Sequence, residues 1–204
     1  LSVGDALAAA RSLPTLGTKR WPRHELIALG DLISEGNLCR IDRREPPGAV
    51  LWAKRLGLWG CNAFSKRIPE DVFGLDERDI ALLLARLWEG DGTIGTTGVH
   101  ADYDTVSRQL AADIQHLLLR LHIVARCYER ERPYNGRTAR SYVVTIIGAE
   151  NLIRFYRKIG RWFLGAKKRE QAKQLVRPNV VRMSKDVIPS DVHRFIRRAR
   201  DEHR

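Results

Sequence analysis

Two stretches of this chain end a helical pattern in the same way. The first reads Ala28-Leu29-Gly30-Asp31-Leu32-Ile33-Ser34-Glu35-Gly36, the second Leu84-Ala85-Arg86-Leu87-Trp88-Glu89-Gly90-Asp91-Gly92. Aligned on the terminal glycine, each has a carboxylate at the eighth position, Glu35 and Asp91, and a small residue just before it, Ser34 and Gly90. Small residues let helix backbones approach closely, so two such helices can pack side by side and bring their acidic C-terminal ends together. If they do pack so, both helices are buried at one seam; an acid followed by glycine is otherwise an ordinary helix ending on the surface.

The surrounding pattern repeats as well. Pro22 suits a helix first turn, and a helical pattern begins at residue 24 and ends at Gly36-Asn37. A strand follows over residues 38–44, with Cys39 and Ile41 on one face and Arg40, Asp42 and Arg44 on the other. Pro46-Pro47-Gly48 reads as a turn, and residues 50–62 suit either a strand or a packed loop. Asp76 is placed to cap a helix whose Ile80, Leu83, Leu84, Leu87 and Trp88 form an apolar stripe, and Gly90-Asp91-Gly92 ends it. Residues 93–97 read as a strand and residues 107–121 as a helix. Residues 123–132 and 141–147 flank the hairpin signal Asn135-Gly136, and helices follow over 149–159 and 164–176. Twice, then, the order is helix, strands, helix, and the fold class is α+β.

Charge narrows the partners. The 204 residues carry a net +12, of which residues 1–149 hold only +2 and residues 150–204 hold +10. A basic patch of that density attracts polyanions, nucleic acid first. No apolar run is long enough to span a membrane and no signal peptide is visible, so a soluble, cytoplasmic chain is expected. Cys39, Cys61 and Cys127 form no Cys-x-x-Cys pair, which fits neither a disulfide framework nor a zinc finger. The six histidines lack metal-ligand spacing, and Gly95-Thr96-Thr97-Gly98 lacks the Gly-Lys-Ser/Thr ending of a phosphate loop.

The paired motif resembles the LAGLIDADG homing endonucleases, specifically the endonuclease domain carried inside inteins. Other segments share the resemblance: residues 65–73 look like the lysine-and-proline block before the second motif, and residues 156–160 with 165–168 look like the closing block. Residues 1–5 and 186–189 look like intein boundary segments. The resemblance implies two pseudo-symmetric αββαββα-like halves, about 21–78 and 79–176, with a saddle-shaped sheet surface on double-stranded DNA. Residues 1–20 are then a leading segment at a splicing-domain boundary, and residues 177–204 a basic C-terminal segment. It implies a monomer that hydrolyses one phosphodiester per strand, with a splicing domain flanking it in the parent intein. Glu35 and Asp91 would hold Mg²⁺, or Mn²⁺ in its place, because hard carboxylate oxygens at the negative ends of two helix dipoles suit such an ion. By family position Lys66 is the catalytic lysine of the first half, with Arg67 as alternate, and Lys167 or Lys168 that of the second.

The sequence departs from the family pattern at two seam positions. Arg86 stands where a small residue is expected, and Asp31 is an unusual polar residue at the next position of the other motif; either loosens the seam or points outward. A degenerate module that binds DNA without cutting is the alternative reading. A fragment of a splicing element is another, disfavoured because the sequence lacks an N-terminal Cys or Ser and a C-terminal His-Asn. For the DNA surface, Arg126, Tyr128, Arg130 and Arg132 share one strand face, opposite Ile123, Ala125 and Cys127, and Arg40 and Arg44 repeat the pattern in the first half. Arg137, Arg140 and Lys168 complete the candidate DNA contacts, the first two at the hairpin tip near phosphates.

Overall fold

The computed structural model describes residues 17–34, 47–95, 99–134 and 137–176. They form an α+β fold of six helices and a four-stranded antiparallel sheet. The helices are α1 (Arg23–Ser34), α2 (Pro47–Arg55), α3 (Glu77–Gly90), α4 (Arg108–Arg120), α5 (Ala149–Lys158) and α6 (Ala166–Gln174). The strands are β1 (Gly92–Gly95), β2 (His100–Thr105), β3 (Arg126–Tyr134) and β4 (Arg137–Ile146), in sheet order β1-β2-β4-β3. From α3 to α5 the order is therefore αββαββα. The strand expected at 38–44, with Arg40 and Arg44, lies outside the described residues, and so does Glu35.

Periodicity explains the core. In α1, Leu26, Leu29, Gly30, Ile33 and Ser34 are buried, the spacing of a single helix face. Helix α3 is apolar almost all round: Ile80, Leu83, Leu84, Ala85, Leu87 and Trp88 are all fully buried, because α1 covers one side and the sheet with α4 another. Asp76 caps α3, its Oδ1 accepting from the Asp79 N–H at 2.9 Å. Asp79, itself buried, accepts from the Trp21 N–H at 2.9 Å and so ties the start of the α1 segment to the start of α3. Behind the sheet, Trp88 meets Tyr103 and Phe155 at ring-centroid distances of 5.5 and 5.3 Å.

Three local expectations are corrected. Pro47 does not make a turn but opens α2, since proline at a first helical position gives up an N–H that has no intrahelical partner. Residues 50–55, read as strand or loop, are the rest of that helix, with Ala53 buried in it and Leu56 buried just after it. Strand β2 follows β1 as its hairpin partner, pairing Thr93 with Asp102 and Ile94 with Ala101. Only β1 of that pair is visible in the expectation.

Candidate active site and nucleic-acid interface

The two motif helices pack against each other at matching motif positions. A Cβ added to Gly30 would lie 2.4 Å from the Cβ of Arg86, and both are third in their motifs. A Cβ added to Gly90 would lie 2.4 Å from that of Ser34, and both are seventh. Each contact thus sets a glycine of one helix against a larger residue of the other. The Ser34 hydroxyl turns back to the Gly30 carbonyl at 2.7 Å, so its polarity is satisfied inside the seam.

The two departures from the family pattern meet here. Arg86 neither loosens the seam nor points outward. Its Nη2 donates to Asp31 Oδ1 at 2.8 Å across the seam, and its Nη1 donates to Glu89 on its own helix. Burial opposes the guanidinium's charge, but Asp31 and Glu89 outweigh it and raise its pKa. Glu89 in turn accepts from the Gly165 N–H at 2.6 Å, which fastens the loop before α6 to the end of α3.

Lysines hold both helix ends. Lys66 Nζ donates to the Ile33 carbonyl at 2.6 Å, at the negative end of the α1 dipole. Helix α4 fixes the segment that carries it: the buried Ser107 hydroxyl donates to the Lys66 carbonyl at 2.5 Å, and the buried Asp113 accepts from the Ile68 N–H at 2.9 Å. Burial pushes the Lys66 ammonium below its ordinary pKa, while Asp91 pulls the other way. Lys168 does for α3 what Lys66 does for α1, donating to the carbonyls of Trp88 and Gly92. Its pKa is also lowered by burial, against Glu89 and Asp91 and with help from Lys167. Lys167 is exposed, and Arg67, the alternate to Lys66, donates instead to the Gly57 carbonyl at 3.4 Å.

Asp91 follows α3 directly as its C-cap and is exposed. The buried Tyr103 hydroxyl donates to its Oδ2 at 3.3 Å. Burial first, and then Asp91 itself, push that phenol well above its ordinary pKa, so it stays a donor at any working pH. An exposed hard-oxygen ligand at the negative end of a helix fits Mg²⁺ in its donor chemistry. Among the described residues no group of three or more His, Cys, Asp or Glu side chains is gathered to hold a metal.

The sheet has a covered back and a front on which Arg126 and Tyr128 are exposed while Val143 and Ser141 are buried. Ala101, Tyr103, Val144 and Ile146 are buried on the back. Cys127 pairs with Val144 on that side but is exposed, since β3 is an edge strand. On the front, Arg126 pairs with Thr145, Tyr128 with Val143 and Arg130 with Ser141. Arg132 pairs in register with Ala139, and Arg137 with Tyr134 at the hairpin end. Arg140 lies on the other face, where its Nε meets Glu129 Oε1 at 2.6 Å and its Nη2 meets Glu131 at 3.8 Å. The front also carries two acids on β2: Asp104 accepts from Arg130, and Asp102 from the Thr145 hydroxyl.

Residues 79–160 match the LAGLIDADG-like domain family. Those residues form a LAGLIDADG-like domain. A replicative DNA helicase DnaB of Rhodothermus marinus is 29% identical over 223 residues, covering 83% of this chain and 23% of that protein. A replicative DNA helicase DnaB of Synechocystis sp. is 32% identical over 147 residues, covering 69% of this chain and 17% of that protein. The protein RecA of Mycobacterium tuberculosis is 33% identical over 136 residues, covering 58% of this chain and 17% of that protein. The chain thus spans about a fifth of the length of the curated relatives it matches.

The arrangement also tells apart two lysines that the sequence left as alternatives and brings in residues that sequence reasoning passed over. Helical phase separates Lys168 from Lys167, because Lys168 shares a face with the buried Ala172 and Leu175, four and seven residues on. Tyr103, Asp102 and Asp104 belong to the alternation of β2, with Ala101 and Tyr103 turned in and the acids turned out. No helix among the described residues is long and apolar enough to cross a membrane.

Proposed function

We propose that this LAGLIDADG chain is a site-specific double-strand DNA endonuclease with an acid pair at the α1–α3 seam. The observation that carries the reading is the packing of Gly30 against Arg86 and Ser34 against Gly90, like position on like position. Contacts of that kind are what a two-fold axis along the seam would produce, and they support two pseudo-symmetric halves whose motif acids end side by side above a saddle of strands. The Arg86–Asp31 pair keeps the seam closed despite two unusual residues, which favours an active enzyme over a degenerate binding module.

Asp91 and Glu35 would hold Mg²⁺, which supplies Lewis-acid polarisation of phosphate oxygens. Tyr103 orients the Asp91 carboxylate from the sheet side. Lys66 and Lys168, each partly buried and with a lowered pKa, stand where they can take a proton from an attacking water or offset charge on the phosphorane. Ser107 and Asp113 hold the backbone on either side of Lys66 and so set its reach.

Related segments occur in proteins named as a replicative DNA helicase and as RecA, and in each they cover only a minor share of the whole. Proteins of such different names sharing one segment supports an inserted element, so we infer an intein-borne domain with a splicing domain as its covalent neighbour. Incubating the chain with Mg²⁺ and a duplex library containing candidate uninterrupted insertion sites should give discrete cleavage. Asp91→Asn should abolish cutting while leaving affinity within about twofold; a variant that cuts as the parent does would sink the site assignment.

A further inference from the structure

The two motifs differ at their sixth position, where the first has Ile33 and the second Glu89. Ile33 is fully buried, as suits an apolar side chain. Glu89 brings a charge to the matching place, and its side chain is only 10% exposed, so both of its oxygens need partners. Arg86 donates to Oε2, and the Gly165 N–H donates to Oε1 at 2.6 Å. Through Arg86 the carboxylate is also linked to Asp31 on α1. Gly165 is the N-cap of α6 and has no side chain with which to cap it. Glu89 thus sets a negative charge at the positive end of the α6 dipole from outside the helix. Lys168 stands three residues on, and its Nζ donates to the Trp88 and Gly92 carbonyls, on either side of Glu89 and Asp91.

We propose that Glu89 is the positioning residue of Lys168: it pins the first turn of α6 to the end of α3 and so fixes the reach of the second-half lysine. This rests on the endonuclease reading of the seam, in which Lys168 serves one strand. The rest of α6 is held without Glu89, because Ala172 and Leu175 are buried. Losing the carboxylate therefore frees the first turn and leaves the helix docked. Lys66 does not depend on Glu89, since Ser107 and Asp113 fix the segment that carries it. Two lysines placed by separate devices can be disturbed one at a time. A site with one displaced lysine cuts one strand at its ordinary rate and leaves the duplex nicked.

The first measurement needs neither metal nor DNA. Limited acetylation of the full chain with acetic anhydride, read by mass spectrometry, should label the half-buried Lys168 more slowly than the exposed Lys167. Glu89→Ala should bring these two rates together and leave that of Lys66 as in the parent. Gly165→Pro serves where the alanine variant folds poorly: at φ −70° the backbone accepts proline, which removes the N–H that Glu89 binds. The second measurement is cleavage in Mg²⁺ of a duplex whose strands are labelled separately. Either variant should slow, by about 10²-fold, the strand that Lys168→Met slows, and keep the other within about twofold, so that nicked duplex accumulates. Adding Glu89→Ala to Lys168→Met should slow that strand no further. Unchanged Lys168 labelling in both variants, equal loss on both strands, or losses that multiply would each overturn the assignment. A parent chain that cuts neither strand defeats the endonuclease reading, and the role on one strand with it, whatever the labelling shows.

Discussion

At the scale of single residues, the proposed chemistry at the seam depends on where protons sit. Lys66 has an ordinary pKa of 10.5 that burial lowers, with Asp91 opposing. Between the lowered folded value and 10.5 the unfolded chain binds more protons than the folded one, so this residue's contribution to stability rises with pH across that window. The neutral amine needed to accept a proton becomes available at lower pH for the same reason. Single-turnover cleavage should therefore climb with pH through the lowered value. Lys66→Arg keeps a cation at the Ile33 carbonyl but cannot deprotonate, and should cut roughly 10²–10⁴-fold more slowly with the pH rise lost. A variant with the parent's profile would show that Lys66 only caps α1. Motif spacing and family position single out Asp91 and Lys66 in the sequence, and the fold sets them at the ends of α3 and α1. Lys168 was obscured by its neighbour Lys167, and helical phase, not residue type, tells the two apart.

At the scale of elements, the seam is where local sequence and tertiary contact are least separable. Read alone, Arg86 is a fault in a close-packed helix and Asp31 an acid out of place; read across the seam, each answers the other at 2.8 Å. No periodicity argument reaches this, since the two residues lie on different helices and meet only once the packing register is known. Gly30 and Gly90 are the reverse case, their closeness implied by the motif and visible in the space a Cβ would lack. Gly30→Ala and Gly90→Ala should each cost about 1–3 kcal/mol, read as lower urea midpoints, because backbone and Cβ atoms on the facing helix must move. Asp31→Asn combined with Arg86→Met in a double-mutant cycle should show coupling of about 1 kcal/mol, limited by the solvent at Asp31, which is 47% exposed. Strict additivity would mean that the stem of Arg86, not its charge, fills the seam. The hidden element, β2, alternates too, but its six residues are short and carry two aspartates, which strand preference disfavours. Sequence reasoning therefore saw the arginines of β3 and missed the acids that face them.

At the scale of the whole molecule, the net +12 looked like the footprint of the DNA surface, yet its distribution separates attraction from readout. Residues 1–149 are nearly neutral, and two acids offset part of the arginine charge on the sheet front. The excess lies in residues 150–204, whose described part includes the exposed Lys167 and Lys173 of α6. Phosphate contacts release counterions and set the dependence of affinity on salt, while base contacts between opposed charges do so weakly. Neutralising Lys167 and Lys173 together should thus flatten the slope of log affinity against log salt by up to about two, and lower affinity evenly across sequences. Asp104→Ala should alter preference and leave that slope in place. If the lysine variants changed preference while the aspartate variant changed the slope, attraction and readout would be assigned to the wrong surfaces, and the DNA would have to cross α6 rather than the sheet.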